Sequence, residues 1–266
     1  MDEERTRTRT LTFGDDGSPA ADVGWLFINE HRWDDWQLDV VHAVMPPIGA
    51  PVARDRAVLH PWTPPEPRQP FLEAGFVAVR QLTAETDPRL ALGIDSDLLV
   101  IGPRGPGLLK ALHLGSTADW LLLHPPAPLL IVRHGRPTRR VVVCADGSPH
   151  AELAARVLAG LPWVAGLAVT VLVVDDGRVD VPAATHVMLD VLDPCGVDVR
   201  VTVATGRPTP AIDHHLLEHR PDLVVLGTRG LTGLQHLRVG STASAIARAA
   251  AGNVLVACDE RRMVLL

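Results

Sequence analysis

The chain has 266 residues, enough for two domains of ordinary size that each bury a hydrophobic core. It is 47% hydrophobic and 21% charged, as in globular proteins, and its net charge of −6 argues against nucleic acid as a partner. The N-terminal segment lacks the apolar core of a secretory signal, and no apolar run reaches the roughly 20 residues that span a bilayer. The three cysteines are widely spaced and favour reduced thiols. We therefore expect a cytoplasmic protein with no nucleic-acid or membrane partner.

The first half alternates strand-like apolar segments with turns. We expect strands over residues 11–13, 36–44, 76–79, 97–101 and 129–132. Between the second and third of these lies the Pro-rich segment 46–70. Since proline cannot enter a helix interior, we predict an extended surface loop there.

The second half has the same plan with clearer signals. Strands are expected over 140–144, 167–174, 197–203, 222–226 and 254–258, and helices over 182–192, from Pro208 to about 218, and from 241. A further helix begins after Ser148, a favourable N-cap that is followed by Pro149. Strands that alternate with helices indicate a mostly parallel sheet with helices on both faces. We predict an α/β protein of two tandem, open, five-stranded sandwich domains, residues 1–135 and 136–266.

A glycine pattern occurs once in each half. Gly102-x2-Gly105-x9-Gly115-Ser116-Thr117 recurs 125 positions later as Gly227-x2-Gly230-x9-Gly240-Ser241-Thr242. Each copy follows a predicted strand and begins a predicted helix. Glycine lets the backbone approach a ligand closely, and the free amides of a helix N-terminus favour an anion. The pattern therefore predicts a tandem repeat with two phosphate-binding loops.

A second shared motif lies after the first strand of each half, Asp16-Gly-Ser-Pro19 and Asp146-Gly-Ser-Pro149. With the glycine pattern it resembles the universal stress protein family, along nearly the whole chain. The resemblance implies a fold similar to adenine-nucleotide α-hydrolase domains, and two domains related by a pseudo-two-fold axis. It also implies ATP as the ligand, with or without Mg²⁺. A further homodimer of the tandem chains is compatible with it.

The resemblance also implies which residues would bind the nucleotide. In the second half Asp146 would bind the ribose or adenine side and Val173 would offer backbone contacts to adenine. The phosphates would be held by residues of the second glycine loop, namely Gly227, Arg229, Gly230, Gly240, Ser241 and Thr242. The corresponding residues of the first half are Asp16, Ala43, Gly102, Arg104, Gly105, Gly115, Ser116 and Thr117.

The two copies are not equal. Pro103 and Pro106 remove backbone donors from the first loop, so we expect the second half to be the better nucleotide site. The arginines at the predicted linker are expected to be solvated; they are Arg133, Arg136, Arg139 and Arg140. His215-x2-Glu218-His219 fits a zinc-peptidase pattern but has no evident third ligand, so we predict no metal site.

The sequence supplies no clear general base and no metal cage, so we expect a stress-response protein that binds ATP with little or no catalysis. Two alternatives stay open. One is a structural or interaction module with vestigial pockets, and the other is an enzyme that hydrolyses ATP slowly.

Overall fold

The computed structural model describes residues 7–46, 57–63, 74–105, 114–228 and 239–258. The elements of the first half are β1 (Arg9–Gly14), α1 (Pro19–Glu30), β2 (Trp36–Ala43), β3 (His60–Pro61), β4 (Ala78–Ala84), α2 (Pro88–Ala91), β5 (Leu98–Ile101), α3 (Ser116–Leu123) and β6 (Leu129–Ile131).

The second half has a similar order, with a helix where the first half has strand β3. Its elements are β7 (Arg140–Ala145), α4 (Pro149–Ala159), β8 (Ala168–Asp175), α5 (Val181–Leu192), a 3-10 turn (Asp193–Cys195), β9 (Asp198–Thr205), α6 (Pro208–His219), β10 (Leu223–Gly227), α7 (Ser241–Ala249) and β11 (Asn253–Ala257). The interleaved strands and helices confirm the predicted α/β class. No helix among the described residues has the length and apolar character of a membrane span.

The strands join into one sheet in the order β3-β4-β2-β1-β5-β6-β11-β10-β7-β8-β9. Neighbouring strands within each half are parallel, apart from the short β3, which runs antiparallel to β4. The halves meet where β6 pairs antiparallel with β11, with Leu130 opposite Leu255. An antiparallel pair of equivalent strands is the arrangement that a local two-fold axis requires. The domain boundary near residue 135 stays a prediction.

The central strands are apolar because both of their faces are covered. All residues of β5, β6 and β11 are buried, as expected for sheet strands between two helical layers. Alternate residues enter different cores: Leu98 and Val100 belong to one apolar layer, and Leu99 and Ile101 to the other. Each layer contains residues of both halves, so the two repeats share their hydrophobic cores.

The structure departs from the sequence prediction in the first half. His60 and Pro61 of the Pro-rich segment form β3, whose His60 pairs with Thr83, while residues 47–56 and 64–70 of that segment lie outside the described part. Strand β4 extends to Ala84 because it stays in register with β2 as far as Ala43. Helix α2 was not predicted.

The expectation that Arg133 is solvated was wrong. Its guanidinium donates to the carbonyl oxygens of Ala247 at 2.6 Å and Gly252 at 3.4 Å, and the side chain is partly buried. Arg136, Arg139 and Arg140 are exposed, as expected.

Candidate functional site

The first Asp-Gly-Ser-Pro motif forms a tight turn between β1 and α1. Gly17 has φ +72°, a conformation that glycine adopts without strain. The Ser18 hydroxyl accepts from the Ala21 amide at 3.2 Å and caps α1, while Asp16 Oδ1 accepts from the Ser18 amide at 3.0 Å. The turn thereby fixes the Asp16 carboxylate at the carboxyl end of β1.

The second motif repeats this geometry between β7 and α4. Gly147 has φ +76°, and Asp146 Oδ1 accepts from the Ser148 amide at 3.0 Å. Ser148 accepts from the Ala151 amide at 3.2 Å, so it is the N-cap, with Pro149 as the first helical residue. The cap agrees with the sequence prediction.

The first glycine loop packs closely against this turn and α1. A Cβ built on Gly102 would lie 3.0 Å from the Cβ of Ala20 and 3.1 Å from its carbonyl carbon. A Cβ on Gly105 would lie 2.7 Å from Asp16 Oδ2, which is shorter than a van der Waals contact. A Cβ at 102 would be tightly packed against the Ala20 backbone, and a Cβ at 105 would require the Asp16 carboxylate to shift. The loop after β5 and the turn after β1 form one continuous wall.

Equivalent hydrogen bonds close the two glycine loops. The Gly115 amide donates to the Pro103 carbonyl at 2.8 Å, and the Gly240 amide donates to the Thr228 carbonyl at 2.6 Å. Thr228 occupies the position of Pro103, and its own amide donates to Ala257 at 3.1 Å. Because Pro103 has no amide hydrogen, the first loop lacks the equivalent hydrogen bond to the last strand of its own half. The equivalent amide in the second half is already used within the protein. Pro106 lies outside the described residues.

Helix α3 begins at the end of the first loop. Its N-cap, Gly115, makes no side-chain capping hydrogen bond, and the first amides of a helix have no partner within the helix. Ser116 and Thr117 are its first two residues. This end of the site is suited to an anion.

All eight first-half residues predicted to bind nucleotide line one cavity of about 490 Å³. This volume is in the range of small-molecule sites. They come from the ends of β1, β2 and β5 and from the start of α3, and they are Asp16, Ala43, Gly102, Arg104, Gly105, Gly115, Ser116 and Thr117.

Sequence reasoning missed the apolar part of the lining. Val41, Met45, Pro88 and Leu92 also face the cavity. Pro88 and Leu92 lie at the two ends of α2, which the sequence did not reveal. Val41 could have been found, because it is two positions before Ala43 in the same strand.

His42 is a further lining residue, and its ring is held on two sides. Its Nδ1 donates to the Asp15 carbonyl at 2.8 Å, and Trp62 stacks on it with ring centroids 4.8 Å apart. The Asp15 carboxylate accepts from Trp25 Nε1 and from the Gly17 amide, both at 2.9 Å. Asp15 therefore supports the wall of the cavity, whereas Asp16 faces the glycine loop.

The described part of the second site has a similar framework. Val173 is fully buried in β8 and pairs with Ala145, which directly precedes Asp146. A Cβ on Gly227 would lie 2.6 Å from the carbonyl carbon of His150, so β10 closely approaches the start of α4.

Helix α7 of the second site begins with Ser241 after the N-cap Gly240. The Thr242 hydroxyl lies 3.4 Å from that of Thr209 on α6. Arg229 and Gly230 lie outside the described residues, so the expectation that the second site is the better one stays a prediction.

The first cavity combines an apolar wall with an end whose groups are suited to an anion. Arg104, an exposed cation, lines the cavity together with Asp16 and with residues 115–117 at the start of α3. Among the described residues, no group of three His, Cys, Asp or Glu side chains could hold a metal. A divalent ion would therefore depend mainly on phosphate oxygens and water, as Mg²⁺ commonly does.

Comparison with known proteins adds the family. The model of the universal stress protein family matches residues 66–133 and 182–257, more than half of the chain. A universal stress protein of Synechocystis is 26% identical over 158 residues, which cover 58% of this chain and 55% of that relative. The match thus spans about half the length of the curated relative.

Two solved structures resemble nearly the whole chain. A universal stress protein from Archaeoglobus fulgidus has a TM-score of 0.62 at 19% identity, with 94% of this chain and 96% of that chain covered. A functionally unknown protein from Pseudomonas aeruginosa PAO1 has a TM-score of 0.60 at 15% identity, with 95% and 93% covered. These likenesses show the fold.

Proposed function

Since this chain belongs to the universal stress protein family, we propose that it is a stress-response protein that binds ATP in the cavity at the start of α3, with little or no catalysis. One observation carries the proposal. The residues that the resemblance assigns to the nucleotide come from four separate segments of the first half, and all of them line the same cavity.

The phosphates would lie against the glycine loop and the first turn of α3. At Gly102 and Gly105 the absence of a Cβ lets the loop pack closely against Ala20 and Asp16 at the cavity wall. The amides after Gly115 and the hydroxyls of Ser116 and Thr117 are the donors. Hydrogen bonds to charged oxygens contribute about 1.5–3 kcal/mol each, and the helix dipole adds roughly 0.3–1 kcal/mol. Several such donors are enough for binding without a lysine.

The adenine would lie at the other end of the cavity, between the ends of β2 and α2. Val41, Met45, Pro88 and Leu92 give this end an apolar lining. A flat, largely apolar base gains free energy by leaving water for such a surface. Asp16, which also lines the cavity, would bind the ribose side.

The geometry favours binding over turnover. Asp16 is the carboxylate nearest the phosphate loop, and one of its oxygens already accepts from the Ser18 amide. The carboxylate of Asp15 is engaged by Trp25 and Gly17. A general base needs a free oxygen directed at the attacking water and a group that orients it. Asp15, with both of its carboxylate oxygens engaged, does not meet this requirement.

We propose the second half as a second nucleotide site. Asp146 is fixed by the same turn as Asp16, and α7 begins at Gly240 as α3 begins at Gly115. The side chains and amides of Ser241 and Thr242 would hold phosphate there, and Val173 would contact adenine.

Two measurements test the proposal. The purified protein is heat-denatured and the supernatant is analysed for adenine nucleotide by mass spectrometry; nucleotide-free protein is then titrated with ATP by calorimetry. We expect saturable binding, weakened by Gly105→Ala in the first site and by Gly240→Val in the second. Gly93→Ala is the matched control, because its Cβ would stay 3.4 Å or more from other atoms and Gly93 lies outside the cavity.

The outcomes separate the three functions. If no nucleotide is released and no heat of binding is measured, the chain would be a structural or interaction module. Binding that is followed by steady phosphate release, lost in Asp16→Asn, would indicate an ATP-hydrolysing enzyme. Binding without phosphate release is the result that we expect.

A further inference from the structure

Helix α3 is tied to the second repeat by an ion pair. Asp119, in the first turn of α3, accepts a hydrogen bond of 2.7 Å from Nε of Arg248, in the last turn of α7. Both side chains are 38% exposed, so solvent screens the pair only in part. The helix that begins at the first cavity therefore contacts a cation from the other half of the chain.

The position of Asp119 matters for a phosphate ligand. Asp119 follows Thr117, a lining residue, by two positions on the same short helix. A carboxylate in the first turn of a helix interacts favourably with the helix dipole, but it repels a phosphate bound at the same helix end. The guanidinium of Arg248 offsets this repulsion.

Two more arginines lie near this contact. Arg133 donates to the Ala247 carbonyl, one residue before Arg248, at 2.6 Å. Burial and the nearby charge of Arg104 lower the pKa of Arg133 to about 10. Arg104 itself lines the cavity. Arg133 thus lies between Arg104 at the cavity and the end of α7 that carries Arg248.

The second half has no counterpart of this arrangement. At the repeat offset of 125 positions, Ser244 corresponds to Asp119 and Leu123 corresponds to Arg248. Cys258 occupies the place of Arg133. At these three positions, all of them described, the contact between repeats therefore carries charge at the first site and not at the second, a difference that the shared glycine motif does not reveal.

We propose that Arg248 is a positioning residue of the first nucleotide site. By pairing with Asp119 it neutralises the carboxylate on the phosphate-binding helix, so the second repeat controls how strongly the first site binds ligands with several phosphates. The inference rests on the proposed function. It concerns the class of ligand, because the pairing would let the first site bind nucleotides with several phosphates more strongly than monophosphates.

The test uses the full chain with Gly240→Val, which leaves the first site as the one to be measured. ATP and AMP are titrated by calorimetry into this protein and into its Arg248→Gln and Asp119→Asn/Arg248→Gln variants. We expect Arg248→Gln to weaken ATP binding by roughly two- to five-fold, the range that partly exposed charge pairs support. AMP, with fewer charges, should be weakened less, and the double variant should regain the ATP affinity. The loss should shrink at about 1 M salt, where the Debye length is about 3 Å.

The matched control is Arg156→Gln, which breaks the Arg156–Glu152 pair on α4, with its Nε–Oε1 distance of 3.0 Å. It should leave ATP affinity unchanged. An Arg248→Gln variant that binds ATP normally, loses ATP and AMP equally, or is not rescued by Asp119→Asn would overturn the inference while the proposed function stands. If the parent protein binds no ATP, the proposed function fails and the inference fails with it.

Discussion

Gly105→Ala is a sharp test of how the first site is built. A Cβ at this position would lie 2.7 Å from Asp16 Oδ2, so at least one of the two must move by several tenths of an ångström. If Asp16 rotates, it loses the hydrogen bond from the Ser18 amide, now 3.0 Å long. The net cost of that bond is about 1 kcal/mol, which lowers Tm by roughly 2–4 °C in a chain of this size.

The effect of Gly105→Ala on the ligand should be larger than its effect on folding. Displacing the loop or the Asp16 carboxylate removes one or two hydrogen bonds to the nucleotide, about 1.5–3 kcal/mol each, which weakens binding by roughly ten-fold or more. In the Gly240→Val background, ATP at about 100 times Kd should stabilise the parent by roughly 2.7 kcal/mol, and the same ATP concentration should stabilise the variant by only about 1.4 kcal/mol or less.

Thermal melts with and without ATP measure both effects, and Gly93→Ala provides the baseline for a glycine substitution outside the cavity. The reasoning is refuted if Gly105→Ala melts a few degrees lower but keeps the full shift produced by ATP. In that case the contact between Asp16 and Gly105 would be structural and the ligand would lie elsewhere.

Three further predictions concern stability. Ser148→Ala removes the N-cap of α4 and should lower the free energy of unfolding, measured with urea, by about 1 kcal/mol. Ser148→Asp should keep most of the wild-type stability, because aspartate is also a favourable N-cap. Equal urea midpoints for the wild type and both variants would contradict a stabilising role of the cap. Gly227→Ala places a Cβ 2.6 Å from the His150 backbone, which cannot rotate away, so we expect a loss of about 1–3 kcal/mol; an unchanged urea midpoint would argue against that close approach. His31 is buried with Nδ1 donating to Phe27 and Nε2 accepting from the Thr138 amide, and burial lowers its pKa. The contribution of His31 to the free energy of unfolding should therefore be complete above about pH 6.5 and should fall below it by up to about 1.4 kcal/mol per pH unit. The variant His31→Gln should show a smaller dependence of stability on pH in this range. An unchanged dependence would exclude His31 as its source.

The repeat and its main elements could be predicted from the sequence because each rests on local chemistry. Continuous apolar runs are typical of strands with two covered faces, and the ends of β7, β8 and β10 fall within a residue or two of the prediction. Ser148 and Pro149 mark the start of α4 through the capping geometry of single residues. The eight predicted residues that line the first cavity could be named because the glycine pattern and the Asp-Gly-Ser-Pro motif together resemble the universal stress protein family.

The remaining features depend on contacts between distant parts of the chain. Arg133 follows a strand in an arginine-rich segment and was predicted to be solvated, yet it donates to carbonyls at the end of α7. The pairing of β6 with β11 likewise depends on how the two halves meet. His42 lines the cavity because the Asp15 carbonyl and Trp62 hold its ring, and no local pattern indicates such a contact.

A crystal structure of the full chain with ATP tests directly whether the first cavity is a nucleotide site. We predict electron density for the nucleotide in the first cavity, with phosphate oxygens within hydrogen-bond distance of the amides at the start of α3 and adenine near Val41 and Ala43. Phosphates bound away from Gly105, Ser116 and Thr117 would contradict the account, as would an empty cavity at saturating ATP.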